Sequence, residues 1–283
     1  MAPLDPKLQQ ILVLIIAALG GLTLLTDGVV IIVWLFSKDR AHAFFLVQIG
    51  FLLANACYLI VMFISAFLRF QGSLLATLSD RVTLLVGLIG QNVILAGLPI
   101  ALIVRFYKSP VSEIGLTLRN QPLRRLIVLG ILASVPVMGL SFILEQAMNY
   151  VARLPSLQTL KSLQDAMSKM VTDLIHPGQP LGMFLFAFLV IAIIGPAGEE
   201  ILFRGYLYTV IKKRFNMAAA VVVSAFLFAA IHGQPLALLP IFAIGVALAL
   251  LYEYTGSLLP CIVLHVVNNG TMAFLLYLQS AKH

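Results

Sequence analysis

Three short groups of polar side chains stand inside long apolar runs, where ionisable residues are costly and therefore informative. They are Glu199-Glu200-x-x-x-Arg204, Phe228-x-x-x-His232 and His265-x-x-x-Asn269. Neighbouring residues on a helix point about 100° apart, so the two glutamates have different surroundings. Arg204 follows Glu200 by four residues and stacks over it as an ion pair. Glu199 is left to face another way, into the interior of a bundle. A glutamate without its own counter-ion in a water-poor interior suits the work of a general base taking a proton from water. The second group puts an aromatic ring and an imidazole on one helical face. The third puts His265 and Asn269 on one face about 6 Å of rise apart, where two donors could hold a developing oxyanion.

Each group also has a plainer reading. Glu200 and Arg204 could belong to a structural ion-pair network, His232 to an interface, and His265 and Asn269 to hydrogen bonds between helices. A structural network gives no reason for the second glutamate at 199. Other ionisable or reactive side chains in apolar runs are Asp27, Glu145, Glu253 and Cys261, and the first three can reach an interface or a partner within a bundle. Cys261 shares a helical face with His265, but a cysteine in apolar surroundings is poorly reactive. There is no His-Glu-x-x-His helix, no Gly-x-Ser-x-Gly elbow and no phosphate-binding glycine loop. A zinc site built from Glu199, His232 and His265 is chemically allowed. The expectation is a site without a metal or other cofactor.

The elements that must position these groups are membrane helices. Of 283 residues, 61% are hydrophobic and only 10% are charged, and the mean hydropathy is +1.05. Soluble domains carry about 25% charged residues, so lipid must cover this surface. Eight apolar runs, near 11–36, 44–67, 82–106, 126–148, 182–210, 217–233, 236–254 and 257–278, approach the roughly 20 residues a span requires. Backbone groups in hydrocarbon must be paired internally, which makes these runs helices. The expected architecture is an all-α, single-domain bundle, with residues 1–181 as scaffold and 182–278 as the catalytic helices.

The net charge of +7 does not point to nucleic acid, because the basic residues lie between apolar runs rather than among exposed aromatics. Lys38 and Arg40, the Arg105 to Arg125 connector, and Lys212-Lys213-Arg214 follow spans one, three and five. The positive-inside rule puts these connectors in the cytoplasm and both termini outside. Cys57 and Cys261 lie far apart in apolar runs and imply no disulfide. The connector near 149–181 spaces Leu154, Leu157, Leu160, Leu163 and Met167 three or four apart, which predicts an amphipathic helix at the membrane surface. It serves either as an interfacial connector or as a lid. One tension is visible: Glu199 lies about 20 Å of helix before Lys212, whereas His265 is only eight residues past Ser257 and would sit nearer the cytoplasmic face.

Taken together and in order, Glu199-Glu200-Ile-Leu-Phe-Arg204-Gly205, Phe228-x-x-x-His232 and His265-x-x-x-Asn269 resemble the CAAX-protease and bacteriocin-processing (CPBP, or Abi) family. Its best-known members are the type II CAAX prenyl proteases. The resemblance covers about 182 to 275. It implies an eight-helix fold and a glutamate-type intramembrane peptidase. It implies that Glu199 activates water with help from His232, and that His265 and Asn269 form an oxyanion hole. Glu200, Arg204 and Phe228 would support the site or bind substrate, and Arg204 could alternatively meet a substrate carboxylate. The implied partner is a membrane-associated protein or peptide, lipidated or CAAX-like, in a prokaryotic plasma membrane; the oligomeric state is left open. The alternatives are a non-proteolytic membrane scaffold of the same family, or a zinc-dependent variant of the protease.

Overall fold

The computed structural model describes residues 110–175 and 180–280, with Lys108, Gly178 and scattered positions between 89 and 104. The expected spans 11–36 and 44–67, with Asp27 and Cys57, lie outside the described residues, as does much of 82–106. Among the described residues the secondary structure is helical, with no strand. The elements used below are α1 (Leu123–Val151), α2 (Gln158–Leu174), α3 (Leu181–Arg214), α4 (Met217–Ile231), α5 (Leu238–Thr255) and α6 (Leu259–Ser280).

Four of these, α1, α3, α5 and α6, are long and apolar enough to cross a membrane. The expected span at 217–233 is shorter: α4 has 15 residues, about 22 Å of helix against a hydrocarbon core of about 30 Å. Its ends have local causes. Asn216 caps the start by accepting from the Ala219 N–H at 2.9 Å. Beyond His232, Gly233 takes a φ of +64°, a left-handed turn that glycine adopts without steric cost.

Helix α3 is continuous but not uniform. Val190–Ile194 and Ile201–Tyr208 are wound as wide π turns on either side of a short α segment, Gly195–Glu200. Pro196 lacks the N–H that an α-helical turn needs and its ring crowds the preceding carbonyl, so a widened turn just before it has a cause in the sequence. Such turns are frequent at functional sites, and here they bracket the two glutamates.

The inner faces of α3 to α6 share one apolar core, with Phe203, Leu207, Phe228, Leu248, Leu258 and Leu264 among its buried members. α4 and α5 cross closely at Gly245: a Cβ there would lie 3.0 Å from the Ala225 Cα. Helix α1 turns Leu132, Val135 and Ile143 outward as exposed apolar side chains, a surface suited to lipid. Helix α2 is the expected amphipathic connector. Leu154 before it and Leu160 within it are exposed, while Leu174 and the following Ile175 pack with Ala187 and Val190 of α3 and Ala273 of α6.

Candidate active site

Glu200 sits at the centre of a buried cluster. Its Oε1 accepts from Arg204 Nη1 at 3.0 Å and from His265 Nδ1 at 2.8 Å. Both charged side chains of the ion pair are fully enclosed. The guanidinium also donates to the Gly245 carbonyl at 3.2 Å and lies 4.3 Å from the centre of the Phe228 ring, a cation–π contact. Arg204 is thus held by α3, α4 and α5, while its Nε has no hydrogen-bond partner among the described residues. Phe228 packs edge-on against Phe203, His232 and His265, with centroids 5.3, 4.9 and 5.5 Å away. One ring therefore touches the arginine and both imidazoles.

Glu199 faces the two histidines. Its Oε2 is 3.9 Å from Nε2 of His232 and 3.9 Å from Nε2 of His265, and it has no hydrogen-bond partner among the described residues. The other ring nitrogens explain what is presented to it. His232 Nδ1 is 2.7 Å from the Phe228 carbonyl oxygen, which can only accept, so Nδ1 carries the proton. His265 Nδ1 meets the Glu200 carboxylate in the same way. In a neutral ring each Nε2 then offers a lone pair. Glu199 Oε2 and the two Nε2 atoms thus face one another in one cluster.

A tetrahedral zinc with legs near 2.1 Å brings its ligands to about 3.4 Å from one another, and a tetrahedral water with legs near 2.8 Å brings its acceptors to about 4.6 Å; the 3.9 Å separations lie between the two. Among the described residues no group of three His, Cys, Asp or Glu has metal-binding geometry. Access is one-sided. The Glu199 and His232 side chains are 19% and 26% exposed, whereas His265 is 3% and Glu200 0% exposed. The cluster opens along the edge where Glu199 and His232 lie.

Asn269 is half-buried one turn beyond His265 on α6 and donates to the Ile191 carbonyl at 3.4 Å, a long bond. The neighbouring Asn268, buried, donates to the Asn269 side-chain oxygen at 3.3 Å. Asn269 is therefore on the expected face and engaged with the first π turn of α3 rather than with Glu199. Glu253 lies elsewhere: both its oxygens meet Lys212 Nζ, at 2.6 and 2.7 Å, and it accepts from Tyr208. Glu145 is half-buried on α1 and belongs to neither cluster. Cys261 is buried and donates to the Leu248 carbonyl at 3.4 Å, a packing role.

Glu200 and His265 meet at 2.8 Å and so share one level of the bundle. A π turn holds more residues than an α turn, so the Ile201–Tyr208 segment advances less per residue and accounts for part of that match. Two parts of the site have no signature in the sequence. The carbonyls of Phe228 and Gly245 are backbone groups, and any residue carries one.

Residues 181–271 match the family model described as type II CAAX prenyl endopeptidase Rce1-like. No curated protein and no solved structure matches the chain. The matched segment runs from the start of α3 into α6 and contains Glu199, Glu200, Arg204, Phe228, His232, His265 and Asn269.

Proposed function

Residues 181–271 form an Rce1-like, CAAX-protease-type domain in a chain built of apolar helices, and on that footing we propose that the protein is an intramembrane endopeptidase in which Glu199 activates the attacking water. The domain's family supports peptidase activity in general terms. The observation that supports the mechanism is the Glu199 oxygen facing two imidazole Nε2 atoms, each at 3.9 Å.

In the proposed reaction water donates one proton to Glu199 and its oxygen bonds to the scissile carbonyl carbon. His232 holds the second hydrogen of that water through Nε2. Glu199 then passes its proton to the amide nitrogen as the carbon–nitrogen bond breaks, which leaves a carboxylic acid and an amine. The oxyanion formed on the way needs donors. Asn269 Nδ2 is one, since its 3.4 Å bond to Ile191 is weak enough to exchange. His265 becomes another when Nε2 carries a proton, and Glu200 is the carboxylate that would balance that imidazolium. Glu200 and Arg204 thus support the site from behind rather than touching substrate. No metal enters this scheme. The substrate is a membrane-associated protein or peptide, lipidated or CAAX-like, approaching the open Glu199 and His232 edge from a prokaryotic plasma membrane.

The test is cleavage by the purified, reconstituted protein of a quenched fluorescent peptide with a farnesylated cysteine near its C-terminus. Glu199→Gln and His232→Ala are expected to lose at least ~100-fold in rate, the scale of a lost general base, while eluting as folded protein. Wild-type activity is expected to survive a zinc chelator. Unchanged cleavage by a clean Glu199→Gln preparation ends the mechanism, and loss of activity to the chelator favours the zinc variant. Peptides accumulating in a Glu199→Ala strain would name the natural substrate.

A further inference from the structure

Helix α2 precedes the family-matched segment, yet it holds the loop behind one of the site histidines. Gln164, half-buried in the middle of α2, accepts through Oε1 from the Leu236 backbone N–H at 3.0 Å, across 72 residues of sequence. Leu236 is buried, and a buried N–H without an acceptor is strongly disfavoured. The loop has little slack. His232 closes α4, Gly233 turns the chain at φ +64°, the Ala237 N–H donates to the Gln234 carbonyl at 3.0 Å, and α5 starts at Leu238. A hold on Leu236 is therefore a hold on the segment that carries His232.

The helix itself is well placed to serve as a fixed wall. Its C-terminal end is anchored where Leu174 and Ile175 join the apolar cluster with Ala187, Val190 and Ala273. Leu160 in its first turn and Leu154 just before it are exposed, the kind of side chain that an interfacial helix buries in the headgroup boundary. His232, four residues before Leu236, is the more exposed of the two site imidazoles, so the loop that α2 holds follows directly on the open part of the site.

We infer that Gln164 is a positioning residue: through the Leu236 N–H it fixes the 233–237 loop, sets the His232 ring against Glu199, and makes α2 one wall of the entrance used by a membrane-bound peptide. The inference rests on Glu199 and His232 being the groups that handle water. It extends the working site to a helix outside the Rce1-like segment.

The experiment compares Gln164→Leu, which removes the acceptor, with Gln164→Glu, which keeps an oxygen in its place. Hydrogen exchange of the full chain in phosphatidylcholine–phosphatidylglycerol vesicles reads the latch directly. Exchange in the 233–238 peptide should rise about tenfold in Gln164→Leu, the order expected for one hydrogen bond, and stay near wild type in Gln164→Glu. With the farnesylated peptide, Gln164→Leu should lower kcat roughly fivefold at unchanged KM, and Gln164→Glu should rescue it. Unchanged exchange in Gln164→Leu overturns the inference, as does equal loss in both variants or faster exchange without a fall in kcat. A wild-type protein that cleaves no such peptide sinks the peptidase reading instead, and the exchange result still decides the latch.

Discussion

Two adjacent glutamates have unequal surroundings, and that inequality organises the site. Glu200 is fully enclosed and bonded through one oxygen to Arg204 and His265, while Glu199 is partly exposed and its Oε2 faces the two Nε2 atoms without a hydrogen bond. Breaking a buried pair by removing one partner leaves an uncompensated charge and costs about 3–5 kcal/mol. Arg204→Met should therefore lower the thermal midpoint of the detergent-solubilised protein sharply, whereas Glu199→Gln should leave it near wild type. Equal melting of the two variants would contradict the division of labour. The i, i+4 pairing of Glu200 with Arg204 was legible beforehand because helical spacing alone specifies it. That Glu200 also receives His265 was not, since nothing in a chain sets which of two neighbouring acids another helix will meet.

Among the elements, the contacts that bring α3, α4 and α5 together differ in worth. Gly245 permits the close crossing of α4 and α5, and its carbonyl accepts from Arg204. Gly245→Val forces the helices apart at a cost of about 1–3 kcal/mol, and it should weaken cleavage as well because it moves an Arg204 contact. Thermal unfolding and the peptide assay measure both effects. The Lys212–Glu253 pair also joins α3 to α5, but its side chains are 44% and 27% exposed, and exposed pairs contribute about 1 kcal/mol or less. Glu253→Gln should therefore change stability little and leave cleavage intact. Complete loss of activity in that variant would show that this second acidic cluster takes part in the reaction. The apolar runs located α3 to α6 to within a few residues. They did not show the π turns, because hydrophobic pattern is nearly the same for an α-helix and one with a widened turn, nor the brevity of α4, which Gly233 ends early.

For the whole molecule, the described helices divide into those that build the site and those that border it. α3, α4 and α6 carry the residues around Glu199, α5 supplies the Gly245 carbonyl to Arg204, α1 packs against α5 and α6, and α2 holds the 233–237 loop through Gln164. The basic run Lys212-Lys213-Arg214 ends α3 and predicts a cytoplasmic position for that end. In a cysteine-free background, Lys213→Cys should be shielded from a membrane-impermeant thiol reagent in intact cells, and Ser156→Cys, before α2, should react. The reverse pattern would invert the orientation and with it the side from which substrate approaches.

Composition, run length and helical spacing by themselves determined that the chain is a helical membrane protein and which polar residues stand inside its apolar helices. Those properties are local: the length of an apolar run and the interval between two side chains need only one helix. The tertiary structure alone decided how the pieces meet. It brought His265 to Glu200 and turned both Nε2 atoms toward Glu199. It enclosed Arg204 between Glu200, the Gly245 carbonyl and the Phe228 ring, and it joined Gln164 to the loop behind His232. Such contacts depend on the relative depth and rotation of several helices, and backbone carbonyls and N–H groups supply part of them. A residue's type cannot encode either, so the geometry of the gap between two imidazoles and a carboxylate emerges only once the bundle is assembled.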